Sequence, residues 1–402
     1  MIYQKANIGE LVTLRQGFAI NKNTNHHMSE EPTNLHLLRI GDMKDGNFSM
    51  YVKDTIPKKF IAKESDIIYT RTGQVGLVFR KQHGVVHNNC FTVSTNDECV
   101  LDQDFLYYVL QEKSFYEEAI NKATGAAQPD LPHGAFNSIR IFLPPIANQK
   151  KITRILNAYN DLIENNQKQI KLLEEAAQRL YKEWFVDFRF PGHEDVAIVD
   201  GVPEGWKLKP LSEVFDYVRG KSYTSKELVE NGGTMMANLK NIRAFGGYNR
   251  NAEKRYAGKY NEEQKLNAGD LVMGVTDMTQ ERRLVGQVAM VPDLGETMTF
   301  SMDLIKLVPL SVTKSFLYST MFFGGYSKKI APLANGVNVL HLKPESMMNM
   351  EMIIPSEWLM KLYDKRFKVY QRKIELLQKQ CDFAREARDR LLPKLMSGEI
   401  EV

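Results

Sequence analysis

From position 147 to 184 the chain reads ANQKKITRILNAYNDLIENNQKQIKLLEEAAQRLYKEW, with no Gly and no Pro. Apolar or small residues fall at Ile152, Leu156, Tyr159, Ile163, Ile170, Leu173, Ala177, Leu180 and Trp184, in alternating steps of four and three that only Asn166 interrupts. That spacing keeps one apolar stripe against a second helix. At 1.5 Å per residue the helix would be roughly 55–60 Å long. Its outer faces are too polar for a bilayer, so it needs a partner. The far end of the chain supplies one. Met360, Tyr363, Phe367, Tyr370, Ile374, Leu377, Cys381, Ala384, Leu391 and Leu395 keep the same steps, with Arg388 as the polar exception. The alternative is that each is an ordinary amphipathic helix of its own globule; the length and the unbroken seam favour a pair. The expected fold class is α+β: two mixed α/β globules separated by two long helices that form an antiparallel coiled coil.

Shorter patterns fill the two globules. Leu37–Gly46 reads as a strand followed by a Gly turn. Asp66–Gly73 reads as a strand ending in a Gly loop, with Gly76–Arg80 as its hairpin partner. Phe105–Gln111 opens a helix expected to run to about Lys122, and Ile139–Pro145 reads as a strand stopped by prolines. The second globule repeats this order. LSEVFDYVRG (Leu211–Gly220) echoes IGELVTLRQG (Ile8–Gly17), and AGDLVMGVT (Ala268–Thr276) echoes ESDIIYTRT (Glu64–Thr72). FLYSTMF (Phe316–Phe322) echoes FLYYVLQ, and MEMIIP (Met350–Pro355) echoes IRIFLP. Ile8 and Leu211 lie 203 positions apart, Ile139 and Met350 211 apart. A chain that repeats globule, helix, globule, helix is an internal duplication, and an antiparallel helix pair would give it approximate two-fold symmetry. The expected segments are a first globule over 1–145, a first long helix over 146–190, a linker and second globule over 191–355, and a second long helix with a tail over 356–402.

The 402 residues allow two or three domains. With 43% hydrophobic and 25% charged residues the chain is of globular rather than disordered composition. A net charge of +4 permits a nucleic-acid partner without identifying one. Cys90, Cys99 and Cys381 form no metal or redox spacing, which fits a reducing cytoplasm. Neither a signal peptide nor a membrane span is expected.

Four segments carry a family resemblance. LPPIANQKKI (Leu143–Ile152) joins the first globule to its helix, WFVDF (Trp184–Phe188) closes that helix, GVPEGWKLKPLSEV (Gly201–Val214) opens the second globule and LLPKLMSGEIEV (Leu391–Val402) ends the chain. Together they resemble the specificity subunit of type I restriction–modification systems, over essentially the whole chain. One departure is that the first globule has no PEGW segment and opens directly at Ile8–Glu10. The resemblance implies that each globule is a target-recognition domain reading one half of a bipartite sequence in double-stranded DNA. It implies that the helices set the spacer and dock two modification subunits, which bind S-adenosylmethionine and methylate adenine at N6, together with restriction subunits. It also implies a chain that binds no cofactor and performs no chemistry itself.

The residues agree as far as they go. There is no Asn-Pro-Pro-Tyr/Phe tetrapeptide of an amino-methyltransferase, no G-x-G-x-x-G loop and no P-loop. His26 and His27 are adjacent and do not converge on a metal as helical i, i+4 histidines would. Asp42 and Asp45 read as turn formers. DNA-reading side chains should be polar or basic and lie on loops leaving a sheet. In the first globule these are Arg39, Lys44, Arg71, Thr72, Gln74 and Gln128. Arg71–Gly73 resembles a recurrent loop of the family, and Arg and Gln pair bidentately with guanine and adenine. His133 is equally a turn residue or a contact. In the second globule the equivalent loop, Thr276–Arg283, has a different sequence and length, and offers Thr279, Gln280, Arg282 and Arg283. Lys240 and Arg243 stand where Arg39 and Lys44 do, and Asn335 and Asn338 match the region of Gln128. Gly246–Tyr260 mixes basic and aromatic residues, as a segment lying along DNA or a plain exposed loop would. For each candidate the competing role is a phosphate contact or a solvated charge. The helix-pair seam is assigned to Ile152, Leu156, Ile163, Asn166, Ile170, Leu173, Leu180, Ile374, Leu377 and Leu391. Asn166 there would fix the register. Two rival readings are a self-contained methyltransferase or nuclease of divergent motif, and a scaffold that never reads DNA; a specificity subunit whose modification partner has been lost is a variant of the leading reading.

Overall fold

The computed structural model describes residues 4–244 and 246–402. The chain divides into two compact units, 1–164 with 381–402, and 165–380. Two long helices, α6 (Ile146–Phe185) and α10 (Glu357–Ser397), are each continuous and each contribute to both units.

In the first unit, β1 (Gln4–Asn7) pairs antiparallel with β11 (Arg140–Leu143), which joins the start of the unit to the strand before α6. A four-stranded sheet follows the order β2 (Val12–Gln16), β10 (Cys90–Thr95), β7 (Ile67–Thr70), β8 (Val78–Phe79). β7 is buried along its whole length, as its unbroken apolar run requires of a central strand. A five-stranded sheet runs β3 (Met28–Ser29), β5 (Tyr51–Val52), β4 (Leu35–Leu38), β9 (Gly84–Val86), β6 (Ile61–Ala62), with β4 and β9 parallel. Small helices α1 (Ile8–Leu11), α2 (Ile40–Asp45), α3 (Gln103–Val109), α4 (Lys113–Lys122) and α5 (His133–Asn137) cover these sheets.

The second unit repeats the arrangement. β14 (Lys207–Pro210) pairs with β25 (Glu351–Ile354) as β1 does with β11. The order β15 (Phe215–Arg219), β23 (Leu304–Pro309), β19 (Leu271–Gly274), β21 (Val288–Met290) matches β2-β10-β7-β8. The order β16 (Leu228–Val229), β18 (Lys254–Tyr256), β17 (Thr234–Ala237), β22 (Met298–Phe300) matches β3-β5-β4-β9, including the parallel pair. Two short additions are the hairpin β12 (Ile198–Val199) with β13 (Val202–Pro203), and β20 (Thr276–Asp277) with β24 (Leu340–His341). Helices α7 (Leu211–Val214), α8 (Lys314–Phe323) and α9 (Tyr326–Ile330) stand where α1, α3 and α4 do. Gly17 and Gly220 show why the echoed strands are followed by the same residue. A Cβ at either position would lie 2.2 Å from the His87 carbonyl oxygen or 2.0 Å from that of Ser301.

Each unit has a core built on both sheets and helices. In the first, Tyr69, Phe91, Phe105, Phe115 and Phe136 pack with Ile152 and Leu156 of α6 and with Leu395 and Met396 of α10. Further along, Ile163 meets Cys381 and Ala384. Numbers rise along α6 as they fall along α10, so the segments are antiparallel there. In the second unit the same order holds: the Asn166 Nδ2 donates to Gln380 Oε1 at 3.2 Å, and Trp184 packs against Tyr363 with ring centroids 5.9 Å apart. Both polar interruptions of the seam have partners. Arg388 Nη1 donates to Asn160 Oδ1 at 2.7 Å, and Asn160 Nδ2 donates to the Tyr108 hydroxyl at 2.7 Å. Ile374 and Leu377 are buried, while Ile170, Leu173, Leu180 and Leu391 are half-buried. Gln149, fully buried, accepts from the Asp102 N–H and donates to the Val100 and Pro144 carbonyls, which fastens the start of α6 to the N-cap of α3.

Three local expectations change. Leu37–Gly46 is a strand, then the helix α2, and only then a left-handed Gly46. Arg39 sits at the N-cap of that helix and its guanidinium grips Asp42 one turn on, so the chain coils where the Gly-Asp pair reads as a turn. The helix expected from Phe105 to Lys122 is broken, because Glu112 takes extended backbone and starts α4 afresh. The Gly246–Tyr260 segment is not a plain exposed loop. Tyr248 and Tyr256 are buried, and Arg255 pairs with Glu296. Among the described residues no helix is long and apolar enough to cross a membrane.

Candidate nucleic-acid interface

In the first unit, β7 ends at Thr70 and the chain reverses over Arg71–Gly76. The Thr70 hydroxyl accepts from the Leu77 N–H at 2.9 Å and donates to the Gln74 carbonyl, so the turn is closed from its base. A second loop, 124–131, lies beside it. Gly73 N–H donates to the Pro129 carbonyl at 2.8 Å and Leu131 N–H to that of Arg71 at 3.0 Å. Asp130 ties the two together. Arg71 Nε and Nη2 donate to its two carboxylate oxygens at 3.1 and 2.6 Å, Nη1 donates to Gln16 Oε1 at 3.1 Å, and Thr72 donates its hydroxyl to Asp130. Arg71, helped by Thr72, holds the Asp130 carboxyl below its usual range, against the opposing effect of burial. His133 packs edge-on against Phe91 beneath this pair, and burial depresses its pKa.

This geometry sorts the sequence candidates. Arg71 and Thr72 organise the loop pair and turn toward Asp130. Lys44, Gln74 and Gln128 are exposed at its rim, with Lys44 Nζ 3.5 Å from Gln74 Oε1. Arg39 is held by Asp42 and by the Ser49 hydroxyl at 2.8 Å.

In the second unit the chain leaving β19 continues as β20, and the loop beyond it again runs beside a second loop, here 335–341. β20 pairs with β24, and Gln280 Nε2 donates to the Val337 carbonyl at 2.7 Å. The anchoring acid is Asp277, which is buried. Its Oδ1 accepts from the Thr279 N–H and hydroxyl, both at 2.8 Å, and its Oδ2 accepts from the Leu284 N–H at 2.7 Å. Thr279, Gln280 and Arg283 are exposed, with Arg283 paired to Glu281; Arg282 is half-buried. Asn335 and Asn338 are exposed on the neighbouring loop, and Lys240 is exposed on a short 3-10 turn held by the buried Asn238 and Asn241. Arg243 is exposed and, with Glu174, lines a 470 Å³ cavity.

Each unit therefore carries a rigid base with a rim of exposed donors and amide groups. Such a rim can hydrogen-bond to base edges and phosphate oxygens. Among the described residues no group of three or more His, Cys, Asp or Glu side chains could hold a metal ion. The residues that sequence reasoning missed are Gln16, Asp130 and Asp277. The signal for Asp277 is the Asp-x-Thr spacing of an Asx turn; for Asp130 and Gln16 the partner lies too far along the chain for any local signal.

Residues 3–175 match the family model described as the type I restriction modification DNA specificity domain. The type I restriction enzyme MjaVIII specificity subunit of Methanocaldococcus jannaschii is 25% identical over 371 residues, which are 90% of this chain and 84% of that one. The chain is similar to type I restriction–modification specificity subunits along most of its length. The MjaIX specificity subunit of the same organism is 26% identical over 353 residues, 85% of this chain and 79% of its own. The crystal structure of a type I restriction–modification S subunit from M. genitalium superposes with a TM-score of 0.59 at 16% identity, covering 98% of this chain and 96% of the other, so the fold is shared along the chain. The matched DNA specificity domain contains the whole first loop pair, from Arg71 to Asp130.

Proposed function

We propose that this chain is the DNA sequence-recognition subunit of a type I restriction–modification complex, and that each globule reads one half of a bipartite target. The observation that carries the proposal is the repeated loop pair. Loops 71–76 and 276–284 leave the matching strands β7 and β19 of one duplicated scaffold, each beside a second loop, 124–131 or 335–341, yet they differ in sequence, length and anchoring acid. A duplicated base with unlike rims suits a protein that reads two unlike half-sites. α6 and α10, as an antiparallel coiled coil, set the gap between the halves and, with nearby surfaces, dock two modification subunits and the restriction subunits. Affinity comes from Lys and Arg on phosphates, specificity from rim side chains at base edges.

The chain performs no chemistry and binds no cofactor. S-adenosylmethionine belongs to the modification subunit, which extrudes the target adenine from the stack before methylating it at N6. The complex acts on chromosomal and incoming DNA in the cytoplasm. The test is to co-express the chain with its modification subunit in a methylation-free host and map N6-methyladenine across the genome. A split motif with one methylated adenine on each strand is expected, and exchanging residues 1–145 should change one half only. A purified complex that leaves no methylation would count against DNA reading and for a scaffold.

A further inference from the structure

A concavity of 680 Å³ lies beside the second loop pair, lined among others by Arg282, Arg283, Lys328, Gln178, Phe322 and Phe323. Arg283 is occupied by Glu281. Arg282 and Lys328 have no anionic partner among the described residues. The Nε of Arg282 is buried and meets no acceptor, and its backbone is left-handed at φ 54°, a conformation that costs a side-chain-bearing residue free energy. The turn that holds it there is rigid: Arg282 N–H closes on the Thr279 carbonyl, and Asp277 clamps the backbone at Thr279 and Leu284. The Phe322 and Phe323 rings, stacked with centroids 4.8 Å apart and half-exposed, line the same recess.

Two cations without partners, one of them with a desolvated donor, call for an anion. A guanidinium suits phosphate oxygens in particular, which it can meet with parallel donors. The recess argues against base reading. Base edges lie within the grooves and must be met by side chains that project, whereas phosphates stand out from the duplex and can enter a hollow. Resting on the DNA-reading function proposed above, we infer that this concavity seats a backbone phosphate of DNA bound by the second globule, with Arg282 and Lys328 as its ligands. The first globule does not repeat the lysine. At the 211-residue offset that relates Phe105 to Phe316, Lys328 and Lys329 correspond to Glu117 and Glu118.

The experiment uses the full chain in complex with its modification subunits, on duplexes with and without the mapped target, across a salt series. For Arg282→Gln with Lys328→Gln, the slope of log affinity against log salt becomes shallower by about 0.9, the counterion release of one phosphate. Binding to target and to unrelated duplex falls by the same factor, and the methylated sequence stays the same. An unchanged slope overturns the inference, and so does a change of preference at a single target base. Arg282→Lys with Lys328→Arg, which keeps both charges, retains the wild-type slope and guards against a folding artefact; a slope as shallow as that of the Gln pair overturns the inference. Millimolar inorganic phosphate at constant ionic strength displaces DNA more readily from wild type than from the Gln pair, because it competes for the same seat; phosphate that binds wild type yet leaves its DNA affinity unchanged would mark a free-anion site and overturn the inference. Failure of the wild-type complex to prefer any DNA sequence would count against the function proposed above, and is distinct from these outcomes.

Discussion

Gly220→Ala tests the duplicated scaffold at its tightest point. Gly220 follows β15 directly, and the next residue, Lys221, runs alongside Ser301 in a parallel bridge. A methyl group there would sit 2.0 Å from the Ser301 carbonyl oxygen and 2.5 Å from its carbon. Ordinary contact begins near 3.4 Å, so the strand must retreat by about 1.4 Å. Both sides of the clash are backbone, and no side chain can swing away. Three hydrogen bonds hold the crossing: Gly220 N–H to Leu304, Lys221 N–H to Phe300 and Met302 N–H to Lys221, at 3.2, 2.7 and 2.9 Å. At about 0.5–1.5 kcal/mol each, losing all three costs about 1.5–4.5 kcal/mol. Gly17→Ala should behave likewise in the first unit, with its clash at 2.2 Å. Gly41→Ala is the control: a Cβ there meets nothing within 4 Å, the residue lies in α2, and the change should stabilise by about 0.5–1 kcal/mol. A chain of two units need not unfold in one step, so native-state hydrogen exchange, read separately for each unit, is the suitable assay. If Gly220→Ala lay within about 0.5 kcal/mol of wild type, the close-approach argument would be wrong, since losing even one such bond should cost as much.

Other outcomes follow from single side chains. Gln149→Leu strands the Asp102 N–H and the Val100 and Pro144 carbonyls, and should cost about 3 kcal/mol or more, read as a lowered urea midpoint; a midpoint equal to wild type would mean that water replaces the amide. Asp130→Asn weakens the hold on Arg71 and Thr72, so methylation mapping should show relaxed preference in one half-site and an intact second half. Loss in both halves, or in neither, would contradict the role of Asp130 as a local anchor. Asn166→Leu replaces a polar residue that is 2% exposed and whose partner Gln380 is exposed enough to be solvated, so thermal melting should rise. The preferred gap between half-sites should broaden across a spacer library, and an unchanged gap would remove Asn166 from the setting of register.

Elements whose pattern is long or wholly apolar were legible from residue order alone. The steps of four and three place α6 and α10 to within a few residues, and the strand read over Asp66–Gly73 is β7, Ile67–Thr70. The duplication was legible because the same apolar positions must fill the same core twice. Short-range competition hid the rest. Nothing near Glu112 breaks a helix by propensity, and α2 forms where Gly41 and Gly46 both suggest a turn, since Arg39 finds Asp42 one turn away. The candidate interface shows the deeper difficulty. A sequence displays residue types, and Arg71 has the type that pairs with guanine. Its nearest acceptor is nevertheless Asp130, 59 positions on, and that partnership exists only once the fold has formed.

The two anchoring acids bear on how such a protein can change its target. Asp130 reaches the first loop from its neighbour, whereas Asp277 sits at the base of the very loop it holds. The strand order beneath is repeated in both units, down to the glycine at each strand crossing, although β6 is matched only by the Leu266–Met298 bridge. Loop sequence and anchor therefore differ together while that order is kept. This is the expected result if the sheets answer for stability and the rims for sequence choice. A rim residue can then be exchanged freely only while its anchor still fits the new loop. Grafting 71–76 between units without 124–131 should fail for this physical reason, because the transplanted Arg71 would arrive without Asp130 to receive it.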